Sequence, residues 1–472
     1  MNKEDICYMS ACEMEEAIKN QEITSEEITE IIIERIEKIN PIINAYCTTT
    51  FEMAREMAKR ADKRVKNGEK IGILNGVPTS IKDLMAIEGV RTTYGSRIFE
   101  NYIASEDSIV VKRLKDEGCV ILGKTNTPEF GHKGVTDNLI FGPTHNPWNL
   151  ERTSGGSSGG AAASVIMGMG PLAQGSDGGG SIRHPASFCG VYGIKPSFGR
   201  VPRYPRLFIS AQDCSVTGPI VNYVSDAALM LDVIKGPFEG DRFSLPADKI
   251  RYSEQYNEIP KKLRICYSFD LGFAKIVQSD IKESVTKAIN KFSQLDWSIE
   301  KVKIKRTRVA EAFSINWLVT FAYELKPFLK EWKDKMDPNL VKWIEAGLKY
   351  EASSLPDAMK IRESFYRELY KVFQNYDILI TPTTAITAFE LGISAPKTIE
   401  GKGVSPTGWQ PFTFPFNFTG NPAASIPCGF DPNGLPIGMQ IVGKLHDDLK
   451  VLQVSNAYEE MAPWQGKKPN IT

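Results

Sequence analysis

The chain has 472 residues, of which 42% are hydrophobic and 24% charged, with 57 basic and 57 acidic side chains. That balance is ordinary for a globular protein, and the length suits either about three average domains or one large α/β fold. A formal charge of zero offers no bulk field for nucleic acid or an anionic membrane, so neither is expected as a partner. The eight cysteines include no C-x-x-C pair, which points to free thiols in a reducing compartment. The four histidines, His132, His145, His184 and His446, lack metal-ligand spacing, so no metal is expected. The first residues, MNKEDICYMS, have no basic-then-apolar layout, and the run Ala161–Ala173 is too short to span a bilayer. A cytoplasmic protein is the expectation.

Residues 1–70 form a predicted N-terminal helical region. Thr24 and Glu27 make a capping box, and Ile28, Ile31, Ile32, Ile36 and Ile39 follow at helical spacing, which predicts core packing. A second helix is predicted over Ser108–Glu117, stopped by Gly118, and Cys119–Leu122 follows as a short buried strand. This alternation predicts α/β construction around a parallel or mixed sheet. Small residues over Ala161–Gly168 suit a helix packed tightly on that sheet, and Leu172–Gly175 reads as the next strand. The loop Asp177–Ser181 then lies beyond a strand end, where open α/β sheets place their ligands. Over 241–374 glycine becomes scarce and charge rises, which predicts a helix-rich cap or insertion. Asp280–Leu295 is amphipathic, and a long helical stretch begins at Arg308. Its aromatics, Trp317 and Phe321 among them, suit a helical core, a substrate pocket, or both. Asp377–Thr383 reads as strand then turn, and Phe412–Phe430 and Leu435–Val442 as further strands and turns.

The chemistry concentrates in Ser154–Ala186, which holds ten of the 38 glycines and six serines. Glycine is costly inside helices and strands and useful where backbone must bend or approach something closely. One cluster, Gly155–Gly160, contains Ser157 and Ser158; the other, Gly178–Gly180, precedes Ser181. A serine hydroxyl needs a base before it attacks. Glycines ahead of it let backbone N–H groups converge on a developing oxyanion, each worth about 3–4 kcal/mol of barrier. Gly155-x-Ser157-x-Gly159 also fits the nucleophile elbow G-x-S-x-G, but no histidine stands where that pattern needs a base. Gly168–Ala173 fails as a dinucleotide fingerprint because Pro171 breaks the required helix start. No cofactor is called for.

The other candidate base is Lys82, at the end of the apolar run Gly76–Asp83 and 75 residues before Ser157. A lysine near its reference pKa of about 10.4 is a cation at neutral pH. Burial can lower that value by as much as about 3–5, leaving a neutral amine. Asp177 and Arg183 flank Ser181 and read as scaffold charges that pair with each other or with backbone.

The chain resembles the amidase signature family over essentially its whole length. Gly155–Ala186 matches the family's signature almost position by position, including Asp177, Gly179, Ser181, Ile182, Arg183 and Pro185. Lys124-Thr125-Asn126, Gly193-Ile194-Lys195-Pro196, Gly199-Arg200-Val201, Asn417–Gly420 and Pro427-Cys428-Gly429 match further segments. The resemblance implies one amidase domain over 1–472, a large mixed β-sheet covered by helices on both faces. It implies hydrolysis of linear or cyclic amides to acid plus ammonia or amine. Ser181 would be the nucleophile, Ser157 the proton relay behind a cis Gly156–Ser157 bond, and Lys82 the base. The N–H groups of Gly178, Gly179, Gly180 and Ser181 would form the oxyanion hole. Ser158, beside Ser157, is read from the residues themselves as a supporting hydrogen-bond donor. The expected partner is a small-molecule amide, with a homodimer possible. The A subunit of glutamyl-tRNA(Gln)/aspartyl-tRNA(Asn) amidotransferase, which releases ammonia from glutamine, is similar in the same motifs and is the alternative. Gln410 and Pro411 stand where glutamine-handling members look to have an acidic residue, which favours a free-standing amidase. The aromatic stretch hints at an apolar, aryl or nylon-type oligomer amide.

Overall fold

The computed structural model describes residues 2–206 and 213–471. Eleven strands form one sheet: β1 Tyr46–Thr49, β2 Pro78–Lys82, β3 Val120–Thr125, β4 Leu172–Asp177, β5 Tyr192–Lys195, β6 Val216–Val221, β7 Arg264–Tyr267, β8 Ser298–Lys301, β9 Ile378–Pro382, β10 Ala423–Phe430 and β11 Pro436–Gly443. Their spatial order is β1-β3-β2-β4-β6-β5-β10-β11-β9-β7-β8. β2 runs parallel to β3 and β4, and β7 runs parallel to β8 and β9; the other pairs are antiparallel. β2, β4, β6, β9 and β11 are buried at every residue, so both faces of the sheet are covered. The architecture is a mixed α/β fold.

The N-terminal region holds helices Lys3–Cys7, Ala11–Lys19, Ser25–Ile43 and Phe51–Lys66, and also the edge strand β1. Thr24 and Glu27 form the expected capping box. Ile28, Ile32, Ile36 and Ile39 are buried; Ile31 is only partly covered, and Ile33 and Ile43 complete the apolar face. The helix Ile109–Asp116 starts at Ser108, and Gly118 stops it at a φ of +85°.

Region 241–374, expected to be helix-rich, also carries the strands β7 and β8, which join the far edge of the sheet. Ile265 and Cys266 are fully buried there as strand residues. Helices Val309–Leu325 and Pro338–Gly347 pack instead around a second small core that includes Phe321, Leu325, Leu340 and Ile344. The stretch Phe412–Phe430 is not strand and turn alone, since Phe414–Thr419 is a short helix. Pro415 in its first turn and Gly420 at its C-cap, with φ +81°, are the start and stop signals.

Topology brings the signature residues together. β2 and β4 are parallel neighbours in register at Ile81 and Gln174, so their C-terminal ends share one edge of the sheet. Lys82 ends β2 and Asp177 ends β4. The helix Gly159–Ile166, which precedes β4, opens at that same edge and carries Ser157 and Ser158 at its start. Ile32→Ala, in the apolar seam of Ser25–Ile43, is expected to cost about 2–5 kcal/mol, read as a lower urea midpoint at unchanged slope. Ile31→Ala, on the partly covered side, costs clearly less in the same measurement.

Candidate active site

Lys82 is fully buried, and its Nζ lies among three hydroxyls: Ser157 Oγ at 2.7 Å, Ser158 Oγ at 2.8 Å and Ser176 Oγ at 3.1 Å. Burial lowers its pKa well below the ordinary lysine value, against the pull of Asp177 and with a further push from Arg203. The Gly156–Ser157 peptide bond is cis. Ser158 N–H donates to the Ser181 carbonyl at 3.1 Å, which ties the two glycine loops side by side. Ser157 and Ser181 line one cleft. Among the described residues the Ser181 hydroxyl has no hydrogen-bond partner.

The loop after β4 is shaped by Asp177. Its carboxylate accepts from Gly180 N–H at 2.7 Å, Ile182 N–H at 3.1 Å and Asn417 Nδ2 at 2.8 Å. It pairs with Arg183 through Nε and Nη2, both at 2.9 Å, and both side chains are fully buried. Burial alone would raise the Asp177 pKa; the charge and hydrogen bonds of Arg183, with Lys195 and Asn417, hold it well below the usual carboxylate range. The expected pairing of these two charges is therefore what the structure has. The Gly180 N–H, expected as an oxyanion donor, is instead committed to Asp177. The N–H groups of Gly178, Gly179 and Ser181 have no acceptor among the described residues, so the available donor set is those three.

The cleft wall is aromatic on one side, with Tyr94, Phe130, Trp317 and Phe321. Trp317 and Phe321, the two aromatics singled out from the sequence, are thus among the residues that line this cleft. Phe313, Trp317 and Phe321 recur every four residues on one helix face, with rings 5.4 Å and 5.3 Å apart. A Cβ on Gly178 would meet the Trp317 ring at 2.7 Å, so this helix seats directly on the glycine loop. The polar side chains Ser108, Arg203, Arg206 and Ser215 also line it, beside Leu84, Met85 and Ala86, and no carboxylate does so among the described residues.

His184 does not serve as a base for either serine. It is buried, its Nε2 lies 2.6 Å from Thr413 Oγ1, and burial lowers its pKa to about 3. Sequence reasoning missed Ser176, Arg203, Phe130 and Tyr94. Ser176 carries no local signal: only the pairing of its strand with β2 brings it beside Lys82.

Comparison with known proteins places the chain in a family. The Amidase family model matches residues 27–452. The chain belongs to the amidase family. It is 36% identical to an acylamidase of Rhodococcus erythropolis over 475 residues, covering 99% of this chain and 98% of that one. It is 35% identical over 493 residues to the A subunit of the glutamyl-tRNA(Gln) amidotransferase of Moorella thermoacetica, covering 99% of each. A bacterial aryl acylamidase of the amidase signature family superposes with a TM-score of 0.91 at 33% identity, covering 97% of both chains. As an amidase, this protein is a hydrolase of carboxylic amide bonds. Among the described residues no helix is long and apolar enough to cross a membrane.

Asp177→Asn removes the anion from a buried pair and is expected to destabilise the fold by about 3–5 kcal/mol. The folded pKa of Asp177 lies below the unfolded value of about 3.9, so its stabilisation is present above that value and lost as pH falls beneath it. The gap in urea midpoint between the wild type and Asp177→Asn should be level from pH 7 to about pH 4, then narrow as pH falls further, without closing at pH 3.

Proposed function

We propose that the chain hydrolyses amides through an acyl-enzyme on Ser181, with Ser157 as relay and Lys82 as base. The observation that carries this is the cradle of hydroxyls around a buried amine. A charged Lys82 would donate to Ser157, Ser158 and Ser176 together. A neutral Lys82 has two N–H bonds and one lone pair. Ser158 Oγ is 3.3 Å from the Ser176 carbonyl and donates there, so toward Lys82 it accepts. With Ser158 and Ser176 taking the two N–H bonds, the lone pair is left to Ser157. Both protonation states fit one geometry, so the amine gains and loses a proton without moving its neighbours.

The Ser181 proton passes to Ser157 as the Ser157 proton passes to Lys82 Nζ. Ser181 Oγ bonds to the substrate carbonyl carbon, and the N–H groups of Gly178, Gly179 and Ser181 receive the oxyanion. The C–N bond breaks as the leaving nitrogen takes a proton from Ser157, which Lys82 resupplies. Water, activated along the same path, cleaves the ester, releases the acid and frees Ser181. The aromatic wall of Tyr94, Phe130, Trp317 and Phe321 favours an apolar or aryl substituent, in line with the aryl acylamidase likeness.

Lys82→Ala should lower kcat/KM about 10²–10⁴-fold on an anilide and slow fluorophosphonate labelling of Ser181 in step. Labelling at the wild-type rate would remove Lys82 from the mechanism. Since Lys82 acts neutral, kcat/KM should be level at alkaline pH and fall about tenfold per pH below a transition well under the ordinary lysine value.

A glutamine-handling member of the family would hold the substrate ammonium with a carboxylate, and none lines the cleft among the described residues. The purified chain should therefore hydrolyse acetanilide at least tenfold more efficiently than it releases ammonia from glutamine. The reverse order would favour the amidotransferase reading.

A further inference from the structure

The cleft also carries polar side chains outside the hydroxyl cradle of Lys82. Arg203 lines it and is only partly exposed. Among the described residues its guanidinium makes one hydrogen bond, from Nη1 to the Ser215 carbonyl at 3.3 Å. A guanidinium carries five N–H donors in a planar fork, so most of this fork is unfilled. The neighbouring carboxylates do not fill it. Asp241 gives Oδ1 to Arg206 Nη2 at 2.8 Å and Oδ2 to the Arg203 backbone N–H at 2.9 Å. The charge of Glu324 reaches Arg203, yet the two are not at ion-pair distance among the described residues. Burial, with the like charge of Arg206, lowers the Arg203 pKa to about 10 against the pull of Asp241 and Glu324, so an added anion is favoured there.

A second observation points the same way. Ser108 lines the same cleft, is 2% exposed, and its Oγ has no hydrogen-bond partner among the described residues. It occupies the N-cap of helix Ile109–Asp116 without capping it. An N-cap serine normally turns its hydroxyl onto its own helix, and forgoing that costs about 1 kcal/mol. Its position also sets the positive end of the helix dipole toward the cleft. Ile109 N–H donates to the Tyr204 carbonyl at 2.8 Å, which holds the Ser108 and Arg203–Tyr204 segments together.

We infer that Arg203 and Ser108 form an anion-binding corner, and that the preferred substrates are amides bearing a carboxylate away from the scissile bond. This rests on the amidase reading of the same cleft. A carboxylate matches the Arg203 fork in plane and charge, and its second oxygen can accept from Ser108.

The test uses paired anilides in which a methyl group replaces the carboxylate. These are succinyl- against butyryl-4-nitroanilide for the acyl side, and 4-acetamidobenzoate against 4-methylacetanilide for the amine side. In at least one pair the carboxylate member should show kcat/KM at least fivefold higher with the wild type. Arg203→Met should bring that ratio to about one, Arg203→Lys should restore part of it, and Ser108→Ala should lower it. Ratios below fivefold in both pairs overturn the inference, as does a preference that survives in both Arg203→Met and Ser108→Ala. Calorimetry with the same ligands on Ser181→Ala gives a reading without turnover. Tighter binding of the carboxylate member supports the corner, and equal affinities overturn it. If the wild type cleaves neither pair, the amidase reading fails while calorimetry still decides the corner.

Discussion

The site depends on keeping an amine out of water with nothing but hydroxyls for company. An isolated ammonium in such a place costs several kcal/mol, so the side chain is driven to its neutral form. Nearby negative charge would undo this. Asp177 is the anion whose charge reaches Lys82, and it is bound on several sides by Arg183, Asn417 and backbone N–H groups. The buried ion pair beside Ser181 thus has an electrostatic consequence beyond holding the loop. By absorbing the charge of Asp177, Arg183 leaves Lys82 free to lose its proton, and Arg203 pushes in the same direction.

The glycine loop meets two demands at once. In the proposed mechanism its N–H groups serve one oxyanion, and an aromatic helix lies against its outer surface. Side chains on Gly178 and Gly179 would collide with Trp317 and Phe313, at 2.7 Å and 3.0 Å from an added Cβ. Gly180 has a φ of +133°, which a residue with a side chain rarely adopts, and its N–H turns inward to Asp177. The run of three glycines therefore divides: the first two admit the helix and present donors, and the third makes the turn that locks the loop to the sheet.

Much of this was legible in the sequence where local signals were strong. The capping box at Thr24 and Glu27, the stop at Gly118, and the glycine–serine clusters each rest on a short-range rule. The strands β7 and β8 were missed because RICY and SIEK are short, and the surrounding residues carry helical composition. Partnership across the sheet makes them strands, and that is a long-range fact. Ser176 was missed because nothing local distinguishes a serine at a strand end from any other. Only the parallel pairing of β2 with β4 turns it toward Lys82. Gly180 as an oxyanion donor was the natural reading of a glycine run, and it yields because the Asp177 carboxylate, three residues earlier, claims that N–H first.

The residues proposed for recognition and those proposed for chemistry sit on different parts of the chain. Lys82, Ser157, Ser158 and Ser176 lie at the ends of sheet strands or at the start of the helix between them, where fully buried neighbours hold them. Trp317 and Phe321 belong to a helix packed around its own small core, and Arg203 lies on the segment between β5 and β6. A substitution at these cleft-wall positions changes what fits without moving the hydroxyls around the amine. The exception is Arg203, whose charge reaches Lys82. An anion bound at Arg203 would offset that charge and make protonation of Lys82 easier. The group inferred to recognise the substrate is therefore also positioned to adjust the proposed base, Lys82, as the substrate arrives.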